Sequence, residues 1–182
     1  QIGDHPENWV TDDISLENLE PYIYPQDINL EKDFSVKSFY FSYFFNWNMA
    51  ENYDYVKKTL PNFKTKESGR TVGTFTNFDS LDDKIDDLYY YMQFLKFGFG
   101  RAVRDTSRFI NNGRMTREEA IEIVKKYDGE FPQENLNEVL DYLNVNKSEF
   151  ENIVDKHRNN EIWQKNSNND WLKSWELKTK IF

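Results

Sequence analysis

The 182 residues carry a formal net charge of −9, no cysteine and two histidines, with 38% hydrophobic and 17% aromatic side chains. That length suits one ordinary domain rather than two, and the missing cysteines remove disulfides, thiolate nucleophiles and cysteine-bound zinc. His5 and His157 give little scope for a histidine metal site or a Ser-His-Asp relay, the acidic balance argues against general nucleic-acid binding, and no apolar run approaches the ~18 residues of a membrane span.

The first 35 residues read as an extended connector entered midway, with Pro6, Pro21 and Pro25 interrupting any helix. "VKSFYFSYFFNW" (36–47) has aromatic residues at both alternating positions. This is the pattern of a strand buried on two faces, although a helix of the same composition also fits. Met49, Tyr53 and Val56 then fall at helical spacing before Pro61. The threonine- and glycine-rich "GRTVGTFTNFDS" (69–80) reads as extended or looped.

From Ser80 the spacing of Leu81, Ile85, Leu88, Met92 and Leu95 predicts a helix that Gly98 and Gly100 interrupt. A second helix runs from about Arg101 to Asn111 and closes at Gly113. Thr116 and Glu119 form a capping box for the next. Pro132 suits the first turn of "QENLNEVLDYL", and Asn146 with Glu149 can cap another helix. Trp163, Trp171 and Trp175 flank the polar "QKNSNND", as in a turn between two short strands. The expected fold class is mainly α, a bundle of short helices with one or two aromatic-rich strands. Its expected divisions are a connector (1–35), a strand-helix-loop segment (36–80), a helical domain (81–162) and a tryptophan-rich tail (163–182).

Charge is distributed unevenly. Five of the seven arginines lie between Lys96 and Arg117, a window of +5 in a chain whose remainder is −14. On a wheel of ~100° per residue, Arg101, Arg104, Asp105 and Arg108 share one face, and Ala102, Val103, Phe109 and Ile110 would anchor the other to the core. Such a face either pairs with the chain's own acids or forms an anion site, where the guanidinium fork grips phosphate or carboxylate. Gly98 and Gly100 would let backbone approach that ligand closely. A second candidate is "DSLDDKIDD", where Asp82/Asp86 and Asp83/Asp87 form i,i+4 carboxylate pairs on neighbouring faces and Asp83, Lys84 and Asp87 make up the candidate site. Those acids could hold Mg²⁺ on a nucleotide or simply complement a helix dipole. No catalytic residue and no metal site stands out.

The stretch "GTFTNFDSLDDKIDDLYYYMQFLKFGFGRAVRDTSRFINNGRMTREEAIEIVKKYDGEFP", together with "YFFNWNMAENY", resembles the C-terminal half of the N-acetyl sugar amidotransferases. These are bacterial enzymes of surface-polysaccharide and flagellar-glycan biosynthesis. The resemblance implies a cytoplasmic enzyme of the PP-loop ATP-pyrophosphatase class, so that the strands would be remnants of an α/β PP-loop core. It would use ATP and Mg²⁺ to convert the acetamido group of an acidic or nucleotide-activated sugar into an acetamidino group. A glutaminase-type partner would supply the ammonia. The serine-glycine-glycine-x-aspartate-serine loop and the cysteine pairs of that family are not in these residues. The chain therefore resembles the family's C-terminal portion, expected neither to bind a cofactor nor to catalyse alone. On that resemblance Lys96, Arg101, Arg104 and Arg108 would face a substrate or ATP anion, with Asp105 orienting the guanidinium groups. A non-catalytic helical module that docks the glutaminase-type subunit is the alternative.

Overall fold

A computed structural model describes residues 5–23, 29, 32, 33, 37, 39–67 and 69–175. Seven α-helices and one two-stranded sheet are present among them: α1 (Leu16–Leu19), α2 (Met49–Thr59), α3 (Asp86–Phe97), α4 (Arg101–Asn111), α5 (Arg117–Tyr127), α6 (Leu136–Tyr142), α7 (Lys147–Lys156), β1 (Trp163–Lys165) and β2 (Trp171–Lys173). The fold is mainly α, as the helical periodicities predict. It divides into two compact units, Gln1–Trp47 and Asn48–Phe182. The segment 48–80 thus groups with the helices, whereas the sequence divisions set it apart with 36–47.

The first unit holds short turns and, among its described residues, no buried side chain. Pro6 and Pro21 each sit in the first turn of a 3-10 helix, and a Ser15/Asn18 capping box opens α1. The strand expected over 36–47 is absent where it can be assessed. Residues 41–43 form a 3-10 turn, and Phe39, Tyr40 and Phe41 are exposed; Val36 and Ser38 lie outside the described residues. A strand needs partners for its amide and carbonyl groups, and among the described residues β1 and β2 pair only with each other. The rings pack on each other instead, Phe41 stacked on Phe45 at 4.6 Å and set edge-on to Trp47 at 6.2 Å.

The core of the second unit gathers Leu88 and Leu95 of α3, Leu136, Val139 and Leu140 of α6, Phe150 and Val154 of α7, and Trp163 of β1. Three of its helices begin with side-chain caps: Asn48 for α2, and capping boxes Thr116/Glu119 for α5 and Asn146/Glu149 for α7. β1 and β2 form the antiparallel hairpin expected of the tail, with Trp163 opposite Lys173. The Trp163 indole donates to the Leu95 carbonyl at 2.6 Å. Two boundaries differ from the periodicity. α3 starts at Asp86 rather than near Ser80, leaving Leu81 exposed, and α6 starts four residues after the buried Pro132.

The turn from α3 to α4 explains the "GFG" pattern. Gly98 closes α3 at φ +77°, where an added Cβ would meet Ile162 and Trp175 at 3.0 and 3.1 Å. Gly100 is the N-cap of α4 and offers no side chain to its amides. Asp128 supplies one from the end of α5, accepting from the Gly100 amide at 2.9 Å and the Val103 amide at 3.3 Å. A Cβ on Gly100 would lie 3.0 Å from that carboxylate. Next to it, Gly129 (φ +78°) lies flat beneath the Phe94 ring, where a Cβ would come within 2.2 Å. Gly113 shares the left-handed conformation but has open space around it. Gly113→Ala should therefore cost about 1 kcal/mol from backbone conformation alone. Gly129→Ala should add overpacking of about 1–3 kcal/mol. Urea unfolding that ranks the two variants equally would contradict this packing.

Candidate functional site

α4 turns its charged edge inward. Its buried residues are Arg101, Ala102, Asp105 and Thr106, and Arg101 and Asp105 are 1% and 0% exposed. Of the four residues the wheel puts on the anchoring side, Ala102 is fully buried, but Val103, Phe109 and Ile110 are only partly buried, and the charged side is turned inward with it. Partners from distant elements make the inversion possible. The Arg101 Nη2 donates to the Asp79 carbonyl at 2.6 Å, and Nη1 lies 3.6 Å from Asp87 Oδ1 on α3. Arg104 donates through Nε to Asp105 Oδ1 (2.9 Å), through Nη1 to the Tyr90 hydroxyl (2.7 Å) and through Nη2 to Asp79 Oδ2 (2.8 Å). The Tyr90 ring sits 4.7 and 4.6 Å from the two guanidinium carbons. Thr74 donates to Asp105 Oδ2 at 2.7 Å and is itself fully buried.

The arginine-lined face is therefore an internal charge cluster, and the expectation that it projects outward is corrected. Arg108 is exposed and among the described residues reaches the Met49 sulfur alone, at 3.7 Å. Lys96 is exposed on the last turn of α3 with its amine over the Phe97 ring at 5.3 Å. Neither joins the cluster of Arg101, Arg104 and Asp105. Gly100 admits the Asp128 carboxylate to the amino end of α4, and Gly98 packs against Ile162 and Trp175. The acidic run is also rearranged. Asp82 and Asp83 precede α3, so they form no helical i,i+4 pairs with Asp86 and Asp87, and Asp83 accepts from the Ile85 amide at 3.0 Å. Among the described residues no group of acids or histidines is placed to hold a metal ion.

Asp87 links the cluster to a polar cleft of about 380 Å³. The cleft is lined by Lys64, Lys66 and Lys84, by Asp83, Asp87 and Glu134, by the hydroxyl residues Thr65, Thr71 and Ser80, and by Leu81 and Asn135. Two of the three residues of the second sequence candidate, Asp83 and Lys84, thus stand on its wall, and the third, Asp87, is nearly buried there at 9% exposure. Lys66 pairs with Glu134 at 2.6 Å and Lys84 with Glu138 at 2.7 Å. Ser80 has φ +52°, a conformation unfavourable for a non-glycine residue, and it follows the Asp79 carbonyl that accepts from Arg101. Burial pushes the Asp87 carboxyl above the usual aspartate range, with Lys66, Arg101 and Asn135 opposing. On the other side of the loop, Arg70 makes two bonds to Glu130 (2.6 and 2.7 Å), and the Gly73 amide donates to the same carboxylate. Arg70 and the Gly73 amide hold Glu130 below its usual range.

Sequence reasoning missed Thr74, Asp79, Asp128 and Glu130. Each lies in a loop or at a helix end and acts on a residue at least 22 positions away, and spacing carries no signal for such pairs.

Residues 72–181 match the family model described as LPS biosynthesis protein WbpG-like, C-terminal domain. The chain belongs to this family. The matched region includes Asp79, Asp87, Tyr90 and α4, so the buried cluster and most of the cleft fall within this LPS-biosynthesis domain. No curated protein matches the chain. Among the described residues no helix is long and apolar enough to cross a membrane.

Arg101→Met should cost about 3–5 kcal/mol by leaving buried carboxylates without their cation. Arg108→Ala should stay within about 0.5 kcal/mol. Chemical denaturation that finds equal losses would return Arg101 to the surface. A carboxyl raised in the folded state takes up protons more readily there than in the unfolded chain. Its contribution to stability therefore falls as pH rises from the ordinary aspartate value, about 3.9, through the raised one. The melting temperature of wild type relative to Asp87→Asn should accordingly decline on going from about pH 3.5 to 7. A flat or rising difference would contradict the burial of this group.

Proposed function

We propose that this LPS-biosynthesis domain is the C-terminal region of an ATP-dependent sugar amidotransferase, and that its polar cleft faces the sugar. In that reaction the acetamido oxygen attacks the α-phosphorus of ATP and pyrophosphate leaves. Ammonia from a glutaminase-type subunit then adds to the activated carbon, and AMP departs with the oxygen to give the acetamidino sugar. The expected setting is the cytoplasm, and the expected products are acidic sugars of the pseudaminic, legionaminic or mannosaminuronic kind in O-antigen or flagellar glycans.

One observation carries this reading. The densest stretch of the amidotransferase resemblance, 73–132, lies within the region that matches the LPS-biosynthesis family, and it builds the buried arginine cluster and one wall of the cleft, from Ser80 to Asp87. The role of Arg101 and Arg104 changes accordingly: they hold Asp79, Asp87 and Asp105 in place rather than clamp an anion. An adenine nucleotide does not fit the groups present. Among the described residues no aromatic ring lines the cleft, and Asp128 already takes the amides at the start of α4. No step through ATP or Mg²⁺ is therefore assigned to these residues.

The test is an amidination assay in which the enzyme containing this domain is given ATP, an acidic N-acetyl sugar, the glutaminase-type subunit and glutamine labelled with nitrogen-15 in its amide. Mass spectrometry should show labelled nitrogen in place of the acetamido oxygen, in step with AMP release. AMP formation without labelled sugar, or the absence of both, would overturn the proposal.

A further inference from the structure

The charges around the cleft are not all satisfied. Lys66 and Lys84 have glutamate partners, and Asp83 accepts from a backbone amide. Among the described residues Lys64 has no ion pair. Asp87 is met by Asn135 and by the charge of Lys66, and its contact with Arg101 Nη1, at 3.6 Å, exceeds hydrogen-bond length. Arg101 reports the same slack from the other side, since its buried Nε and Nη1 atoms have no hydrogen-bond partner. An ionised carboxylate can accept about four hydrogen bonds, so Asp87 retains acceptor capacity where it lines the cleft. The groups with capacity left on this surface are thus the Lys64 cation and the nearly buried Asp87 carboxylate. The cavity suits a small ligand in size, and the lack of aromatic rings among its described lining residues disfavours a stacked base.

We propose that this cleft is a binding site for a small anionic ligand bearing hydroxyl or amide N–H donors, with Asp87 accepting from the donors and Lys64 pairing with the charge. Arg101 then acts on Asp87 from behind as a countercharge, 3.6 Å away, and Ser80 stands on the rim. The identity of the occupant as the sugar rests on the function proposed above, whereas the ligand chemistry rests on the cleft alone.

Binding to the 182-residue chain can be read by NMR chemical-shift titration with three probes. N-acetylneuraminate has a carboxylate, an amide N–H and hydroxyls; N-acetylglucosamine lacks the carboxylate; acetate lacks the donors. N-acetylneuraminate should shift resonances of residues 64–66, 80–87 and 134–135, with N-acetylglucosamine weaker and acetate without saturable effect. Asp87→Asn, which keeps the side-chain shape, should weaken both sugars about tenfold, as expected for loss of a charge-assisted bond. Lys64→Ala should weaken only N-acetylneuraminate, about two- to fivefold. Acetate binding as tightly as N-acetylneuraminate, shifts confined to other surfaces, or indifference to Asp87→Asn in a folded variant would each overturn the proposal. Binding at the cleft by an enzyme that forms no acetamidino product would sink the amidotransferase reading and leave this site standing. Product formed without binding here would do the reverse.

Discussion

A guanidinium group with almost no contact with water is the constraint on which the second unit depends. Moving such a charge out of solvent costs several kcal/mol unless acids and acceptors surround it. Arg101 is met by Asp79 from a loop, Asp87 from α3 and Asp105 from its own helix. Arg104 shares two of these acids and adds the Tyr90 hydroxyl. Two cations against three carboxylates leave one negative charge in excess, and the raised pKa of Asp87 follows from burial within that cluster. Such a cluster requires α3, α4 and the 71–80 loop in a single register, because displacing any of them strands a buried charge.

Backbone geometry reinforces that register. Asp128 closes the amino end of α4 from a different helix, which is possible because Gly100 leaves room for its carboxylate. The neighbouring Glu130 fixes the 70–73 loop through Arg70 and the Gly73 amide. The sequence "YDGEFP" therefore serves as a hub: Asp128 holds a helix end, Glu130 holds a loop, and the glycine between them packs against Phe94. The arginine cluster and the cleft beside it inherit their placement from this hub.

The parts of the fold legible in sequence were those written within a few residues. Capping boxes at Thr116/Glu119 and Asn146/Glu149, the stop of α2 before Pro61, and the tryptophan-flanked hairpin all depend on local spacing, and all were found where the sequence put them. The orientation of α4 was not legible. A helical wheel assigns charge to solvent, and the acids that satisfy Arg101 and Arg104 from inside lie mostly in other elements. The same limit hid the cleft, which joins residues near 64, 80 and 134. The aromatic segment 36–47 failed for the opposite reason: composition suggested a buried strand, but a strand is defined by neighbours that composition does not contain.

The hairpin that fastens the centre has a consequence for the order in which the chain can fold. Trp163 grips the Leu95 carbonyl, and Lys173 the Gly98 carbonyl, at 2.6 and 3.1 Å. Both clasps are synthesised after every helix they secure. On the ribosome, α3 through α7 must wait as a partly assembled bundle, with the end of α3 open, until those last residues emerge.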